Sequence, residues 1–141
     1  MYLLDTNVIS ELRKIKSART DAHVKSWALR SDARQHYLSV ISILEIELGI
    51  NSLSRHDGVQ AGIIRSWLAQ VLAEFNGRIL PIDLATARRC AALHVPDPKS
   101  ERDAFIAATA LVYGLTVVTR NTDDFVRTGV ALLNPWIEQR L

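Results

Sequence analysis

The chain has 141 residues, 48% hydrophobic and 23% charged, with a net charge of +2 and one cysteine. That length suits a single hydrophobic core, and the composition excludes a disordered chain. Six Gly and four Pro are too few for long linkers or low-complexity tails. In chain order, Tyr2 to Leu4 predicts a short buried strand and Asn7 to Lys14 a helix with Val8, Ile9 and Leu12 on one side. Lys14 to Thr20 is a polar, basic loop, and Asp21 to Ala33 a second helix. Tyr37 to Val40 predicts a strand and Ile43 to Leu53 a helix. Val59, Ile63, Ile64, Trp67, Leu68, Val71, Leu72 and Phe75 recur at spacings of three and four, the clearest amphipathic helix in the chain. Ile79 to Ile82 then reads as a strand and Leu84 to His94 as a helix, broken by Pro96-Asp97-Pro98. Ala104 to Tyr113 is an almost wholly apolar, hence central, helix. Leu115 to Thr119 is a buried strand, and Ala131 to Leu133 one more short strand.

Short apolar strands separated by helices predict an α/β fold, a parallel sheet covered by helices on both faces in one domain spanning 1–141. The opening Met-Tyr-Leu-Leu-Asp does not read as a secretory signal, and the apolar run from Phe105 to Val118 is shorter than a membrane span. The expected location is the cytoplasm, with Cys90 a buried structural thiol.

In a parallel sheet the useful site lies beyond the carboxyl ends of the strands. Asp5 directly follows the first strand, Glu45 falls early in the helix after the second, and Asp124 shortly follows the strand ending at Thr119. Asp103 opens the central helix. Carboxylates converging on one spot repel one another, and a hard divalent cation relieves the repulsion. Oxygen-only ligation favours Mg²⁺ or Mn²⁺ over zinc. With those four set aside, 17 basic residues face 11 acidic ones, a surround suited to a polyanionic substrate.

A structural explanation competes with this one. Ser42-x-x-Glu45, Ser100-x-x-Asp103 and Asn121-x-x-Asp124 all fit the spacing of a helix capping box or a near relative of it. Each acid taken singly reads more readily as a cap, and Asp5 could likewise be a helix-start residue. The four histidines lack zinc-hydrolase spacing, and no nucleotide-binding glycine motif or Gly-x-Ser-x-Gly elbow occurs.

Four blocks carry a family likeness: Tyr-Leu-Leu-Asp-Thr-Asn-Val-Ile-Ser-Glu-Leu-Arg (2–13), Ser42 to Gly49, Arg-Asp-Ala-Phe-Ile-Ala-Ala-Thr-Ala (102–110), and Val-Thr-Arg-Asn-Thr-Asp-Asp-Phe (118–125) with Leu-Leu-Asn-Pro-Trp (132–136). In this order they resemble PIN-domain proteins, particularly the VapC and FitB toxin group. The resemblance implies a PIN fold and a metal-dependent ribonuclease hydrolysing RNA phosphodiesters, the toxin of a type II toxin–antitoxin pair held by a small antitoxin. It also implies a homodimer or a hetero-oligomer with the antitoxin, with part of the helix from Val59 to Phe75, whose apolar stripe includes Trp67, in the dimerising surface.

Carried across, the acidic quartet is Asp5, Glu45, Asp103 and Asp124, the Asp-Phe pairing favouring Asp124 over Asp123. The first three would hold the principal ion and Asp124 complete a second, the ions roughly 4 Å apart. Thr119 and Asn121 match polar positions supporting the last acid, and Thr6 and Asn7 those beside the first. Arg102 departs from the small residue usual before the third acid. Two other functions use the same residues: a metal-dependent phosphatase acting on small phosphoesters, and a non-catalytic RNA- or protein-binding module whose acids are caps.

Overall fold

A computed structural model describes residues 1–139. Its centre is a five-stranded sheet, all pairs parallel, in the order β3-β2-β1-β4-β5. The strands are β1 (Tyr2–Leu4), β2 (His36–Ser39), β3 (Ile79–Leu80), β4 (Thr116–Val118) and β5 (Leu132–Leu133). Helices α1 (Thr6–Leu12) and α2 (Ala22–Arg30) connect β1 to β2, and α3 (Val40–Leu53) and α4 (Gly58–Glu74) connect β2 to β3. Helices α5 (Leu84–Leu93) and α6 (Glu101–Tyr113) then carry the chain back to the far side of β1. The winding direction therefore reverses between β1 and β4. At such a switch point, neighbouring loops leave in opposite directions and open a crevice beyond the strand ends.

Both faces of the sheet are apolar because successive strand residues alternate between them. Leu4, Leu38 and Val118 meet Val8 and Ile9 of α1, Trp27 of α2, Ile46 and Ile50 of α3, and Leu68 and Val71 of α4. Leu3 and Val117 point the other way, against Ile106, Ala107 and Ala110 of α6, with Phe125 and Val130 closing that side. Behind α6, the small residues Ala104 and Ala108 let α5 approach, and Cys90 is buried there. Inside α6 the Thr109 hydroxyl is satisfied by donating to the Phe105 carbonyl, 2.8 Å away. Gly114 ends α6 at φ 68°, a left-handed conformation that turns the chain into β4.

Several helix limits differ from those the periodicity predicts, most of them where a side chain caps the chain end. Helix α1 starts at Thr6, not Asn7, because Asp5 is its N-cap, and it ends at Leu12. Helix α2 stops at Arg30, short of Ala33. Ser31 there is extended, and Asp32 caps a separate 3₁₀ turn, Ala33–Gln35. Strand β2 ends at Ser39, whose hydroxyl accepts from the Ile41 N–H, so α3 begins at Val40 instead of Ile43. Helix α6 begins three residues early, taking Glu101, Arg102 and Asp103 into its first turn. Strand β3 ends at Leu80, before Ile82.

The long amphipathic helix is α4, but its stripe divides. Leu68 and Val71 are buried and Trp67 packs against the core, while Val59 is 80% exposed and Ile63 and Leu72 also face outward. On the same side, His36 is buried. Its ring stacks on Trp27 at 5.0 Å, and Ser31 Oγ lies 2.8 Å from Nε2. No helix among the described residues is long and apolar enough to cross a membrane.

This packing predicts a contrast. Leu4→Ala empties a buried site and should cost about 2–5 kcal/mol, whereas Val59→Ala should stay within about 0.5 kcal/mol of wild type. Urea unfolding midpoints of the two variants check it.

Candidate active site

The crevice at the β1–β4 switch point is where the predicted polar residues meet. Asp5 leaves β1 with its N–H donating to the Val118 carbonyl (2.9 Å), which locks the first acid to the end of β4. The residue is buried, 6% exposed. One carboxylate oxygen accepts from the Thr6 N–H at 2.8 Å. The other accepts from the Thr119 hydroxyl at 2.8 Å and from the Asn7 amide at 3.4 Å. Asp5 is thus the helix cap that the bland explanation expects, yet capping occupies only one of its oxygens.

Around it the polar groups interlock. Asn7 Nδ2 lies 3.3 Å from Thr119 Oγ1, and Asn7 Oδ1 accepts from the Arg120 N–H at 3.3 Å. The Asn121 N–H donates to Thr119 Oγ1 at 3.0 Å. Thr119 therefore supports the first acid, 114 residues away in the chain, where the family pattern pairs it with the last. Asn121 takes part through its backbone, its carbonyl accepting from the Asp124 N–H at 3.1 Å. The pattern of residue types could flag these positions but not these partners, because the pairing depends on which strands lie side by side.

Glu45 reaches the site from α3. Since that helix starts at Val40, Glu45 lies in its second turn and the capping role passes to Ser39. Ser42, the residue that would have capped, is buried, and its hydroxyl has no partner. Thr6 Oγ1 donates to Glu45 Oε1 at 2.8 Å, joining the acid after β1 to the acid after β2. Glu45 Oε2 faces the Arg102 guanidinium at 3.7 Å. Asp103 stands in the first turn of α6, where Ser100 occupies the cap position but its side chain makes no cap bond. Asp124 closes a short 3₁₀ turn, Thr122–Asp124, whose Asn121 also makes no side-chain cap.

The acids act on one another. Burial raises the Asp103 pKa to about 6, with further contributions from the charges of Asp5, Asp124 and Glu45. Burial also raises Asp5, against the hydrogen bonds from Thr119 and Thr6, and Glu45 and Asp124 push it further. Asp124, and not Asp123, is among the leading charges felt by both. Yet among the described residues no three acidic, histidine or cysteine groups stand close enough to make a ready-made metal cage. The two observations agree once repulsion is considered. Like charges in a half-buried crevice settle as far apart as their tethers allow, and Glu45 leans toward a guanidinium.

The donor set fits a hard divalent ion. Every donor is an oxygen, two of the acids are driven toward protonation by burial and by neighbouring acidic charges, and a partnerless hydroxyl, Ser42, lies one helical turn before Glu45.

Comparison with known proteins gives a consistent result. The PIN domain pattern matches residues 2–131. A relative named VapC ribonuclease Y4jK, from Sinorhizobium fredii, is 37% identical over 142 residues, covering 96% of this chain and 98% of its own. The crystal structure of FitAcB from Neisseria gonorrhoeae superposes with a TM-score of 0.85 at 36% identity, covering 96% of this chain and 99% of the other. A toxin–antitoxin complex from Klebsiella pneumoniae superposes at 0.67 with 28% identity, over 99% of this chain and 100% of the other.

The raised Asp103 pKa predicts a pH effect on the metal-free protein. Below the unfolded value of 3.8 the acid is protonated in both states and costs nothing. Between there and about 6 the folded state holds more protons, so stability falls as pH rises. Asp103→Asn removes that cost. In EDTA its melting temperature should gain on wild type from about pH 4.5 to about pH 7.5, by the equivalent of about 1–2 kcal/mol after allowing for solvent screening. The buried His36, whose pKa is lowered by desolvation and by Arg78, titrates equally in both proteins and cancels in the difference. A pH-independent gap would contradict the raised pKa of Asp103.

Proposed function

The chain belongs to the PIN-domain family, and on that footing we propose that it is a divalent-metal-dependent ribonuclease, the toxin of a toxin–antitoxin pair. The observation that supports this reading is the pair of acids at the β1–β4 crevice, Asp5 and Asp103, whose pKa values are raised by burial and then by neighbouring charges that include Glu45 and Asp124. In this reading residues 1–141 form one PIN domain. It works in the cytoplasm, where its substrate is found, and associates with itself and with a small antitoxin. The ion is Mg²⁺ or Mn²⁺.

Asp5, Glu45 and Asp103 would hold the principal ion and Asp124 would serve a second, substrate-dependent one. The ion supplies positive charge against the phosphoryl oxygens and lowers the pKa of water. The chain's own groups do the positioning. The Thr119 and Asn7 side chains fix one Asp5 oxygen and the Thr6 N–H the other, which sets the plane of that carboxylate. The Thr6 hydroxyl holds Glu45 Oε1 and leaves Oε2 to face the crevice side of α6. Asp103, with its pKa near neutrality, can release a proton as charge is neutralised around it. The arginines beside these acids, Arg102 and Arg120, are exposed and suit an RNA backbone.

The expected outcome is cleavage of single-stranded RNA in Mg²⁺ or Mn²⁺, stopped by EDTA, with little turnover of a generic small phosphate ester. Asp5→Asn should lower cleavage by about a hundredfold or more while the far-ultraviolet circular dichroism stays unchanged. Gel-based cleavage of a labelled RNA measures this. Full activity in EDTA, or in well-folded Asp5→Asn, would overturn the proposal.

A further inference from the structure

Three ion pairs form among the described residues. Two are local: Lys14 with Glu11, and Arg34 with Asp32. The third spans two elements, bringing Arg102 of α6 to Glu45 of α3. Helix stability does not explain Arg102. A cation in the first turn opposes the positive end of the helix dipole. A half-exposed pair at 3.7 Å, beyond hydrogen-bond range, also contributes little to folding.

Its surroundings are more informative. Arg102 immediately precedes Asp103, and it faces the one Glu45 oxygen that Thr6 does not hold. Among the described residues it makes the one ion pair that any of the four acids forms. An ion bound through Glu45 Oε2 removes the charge that keeps the guanidinium there. A guanidinium released there stays next in the chain to Asp103 and close to Glu45, and its fork of donors matches two phosphate oxygens.

We propose that Arg102 is a phosphate-binding residue held in reserve by Glu45: without metal it neutralises Glu45, and metal binding frees it for the RNA backbone. The inference rests on the reading of this crevice as a metal and RNA site. It makes the two ligands cooperative, because the ion both neutralises the acids and delivers a cation to the substrate. It also makes the guanidinium a competitor of the ion when RNA is absent.

The test uses Arg102→Gln and Arg102→Lys, with melting curves to establish that each variant folds. Calorimetric titration of the RNA-free proteins with Mn²⁺ alone comes first. Removal of the competitor should tighten Mn²⁺ binding by roughly fivefold in Arg102→Gln, with Arg102→Lys close to wild type. Steady-state cleavage of a single-stranded RNA at saturating Mn²⁺ follows. KM should rise about tenfold in Arg102→Gln with kcat changed by less than about twofold, and Arg102→Lys should recover part of the loss. An unchanged Mn²⁺ affinity in Arg102→Gln, or an unchanged KM, overturns the proposal while leaving the metal site intact. If wild type itself takes up no Mn²⁺, the reading of the crevice as a metal site fails and this inference falls with it.

Discussion

The structure turns on burying a carboxylate at the junction of two strands. Asp5 sits where β1 and β4 run side by side and the winding of the sheet reverses, and its charge is largely withdrawn from water. A buried carboxylate is tolerable only if its lone pairs are used. Thr6, Thr119 and Asn7 use them, and in doing so they tie the ends of β1 and β4 together. The Thr6 hydroxyl extends the network to Glu45 and thus to α3. What remains unbalanced is the net charge, since hydrogen bonds orient a carboxylate without neutralising it. Asp103 shows the outcome, its pKa lifted to about 6 first by burial and then by the charges of Asp5, Asp124 and Glu45.

The hydrophobic pattern made the strands and most helices readable, because β1 and β4 are apolar throughout and α6 is apolar along nearly its whole length. What it could not specify was where each helix begins. Ser39, Asp5 and Asp32 intercept chain ends through short side-chain bonds, each shifting a limit by one to three residues. That shift matters for function. With Ser39 as the cap, Glu45 moves out of the first turn, and its capping-box explanation gives way. The Ser100 and Asn121 side chains make no cap bond either, which weakens the same explanation for Asp103 and Asp124.

The acids were legible from strand-end logic together with a family likeness, whereas their supporting partners were not. Thr119 and Asp5 are 114 residues apart and meet only because β4 returns to the free edge of β1. The Arg102–Glu45 contact likewise depends on how α6 crosses α3. The spacing of three and four marks α4 as an amphipathic helix, but packing divides its apolar stripe. Trp67 turns toward the core, and Val59 and Ile63 are left outside.

The central claim is that Glu45 belongs to a group of mutually repelling carboxylates shaped for a cation. Glu45→Gln tests it most directly, because the amide oxygen can still accept from Thr6 while the charge is gone. Melting curves should be recorded for both proteins in EDTA and in Mg²⁺ or Mn²⁺. At about a hundredfold excess of metal over Kd, wild type should gain about 2.7 kcal/mol of stability. In EDTA, Glu45→Gln should be as stable as wild type or more so, and it should gain less than about half as much from metal. Equal destabilisation of Glu45→Gln in both conditions would contradict the account and make Glu45 an ordinary structural partner of Thr6.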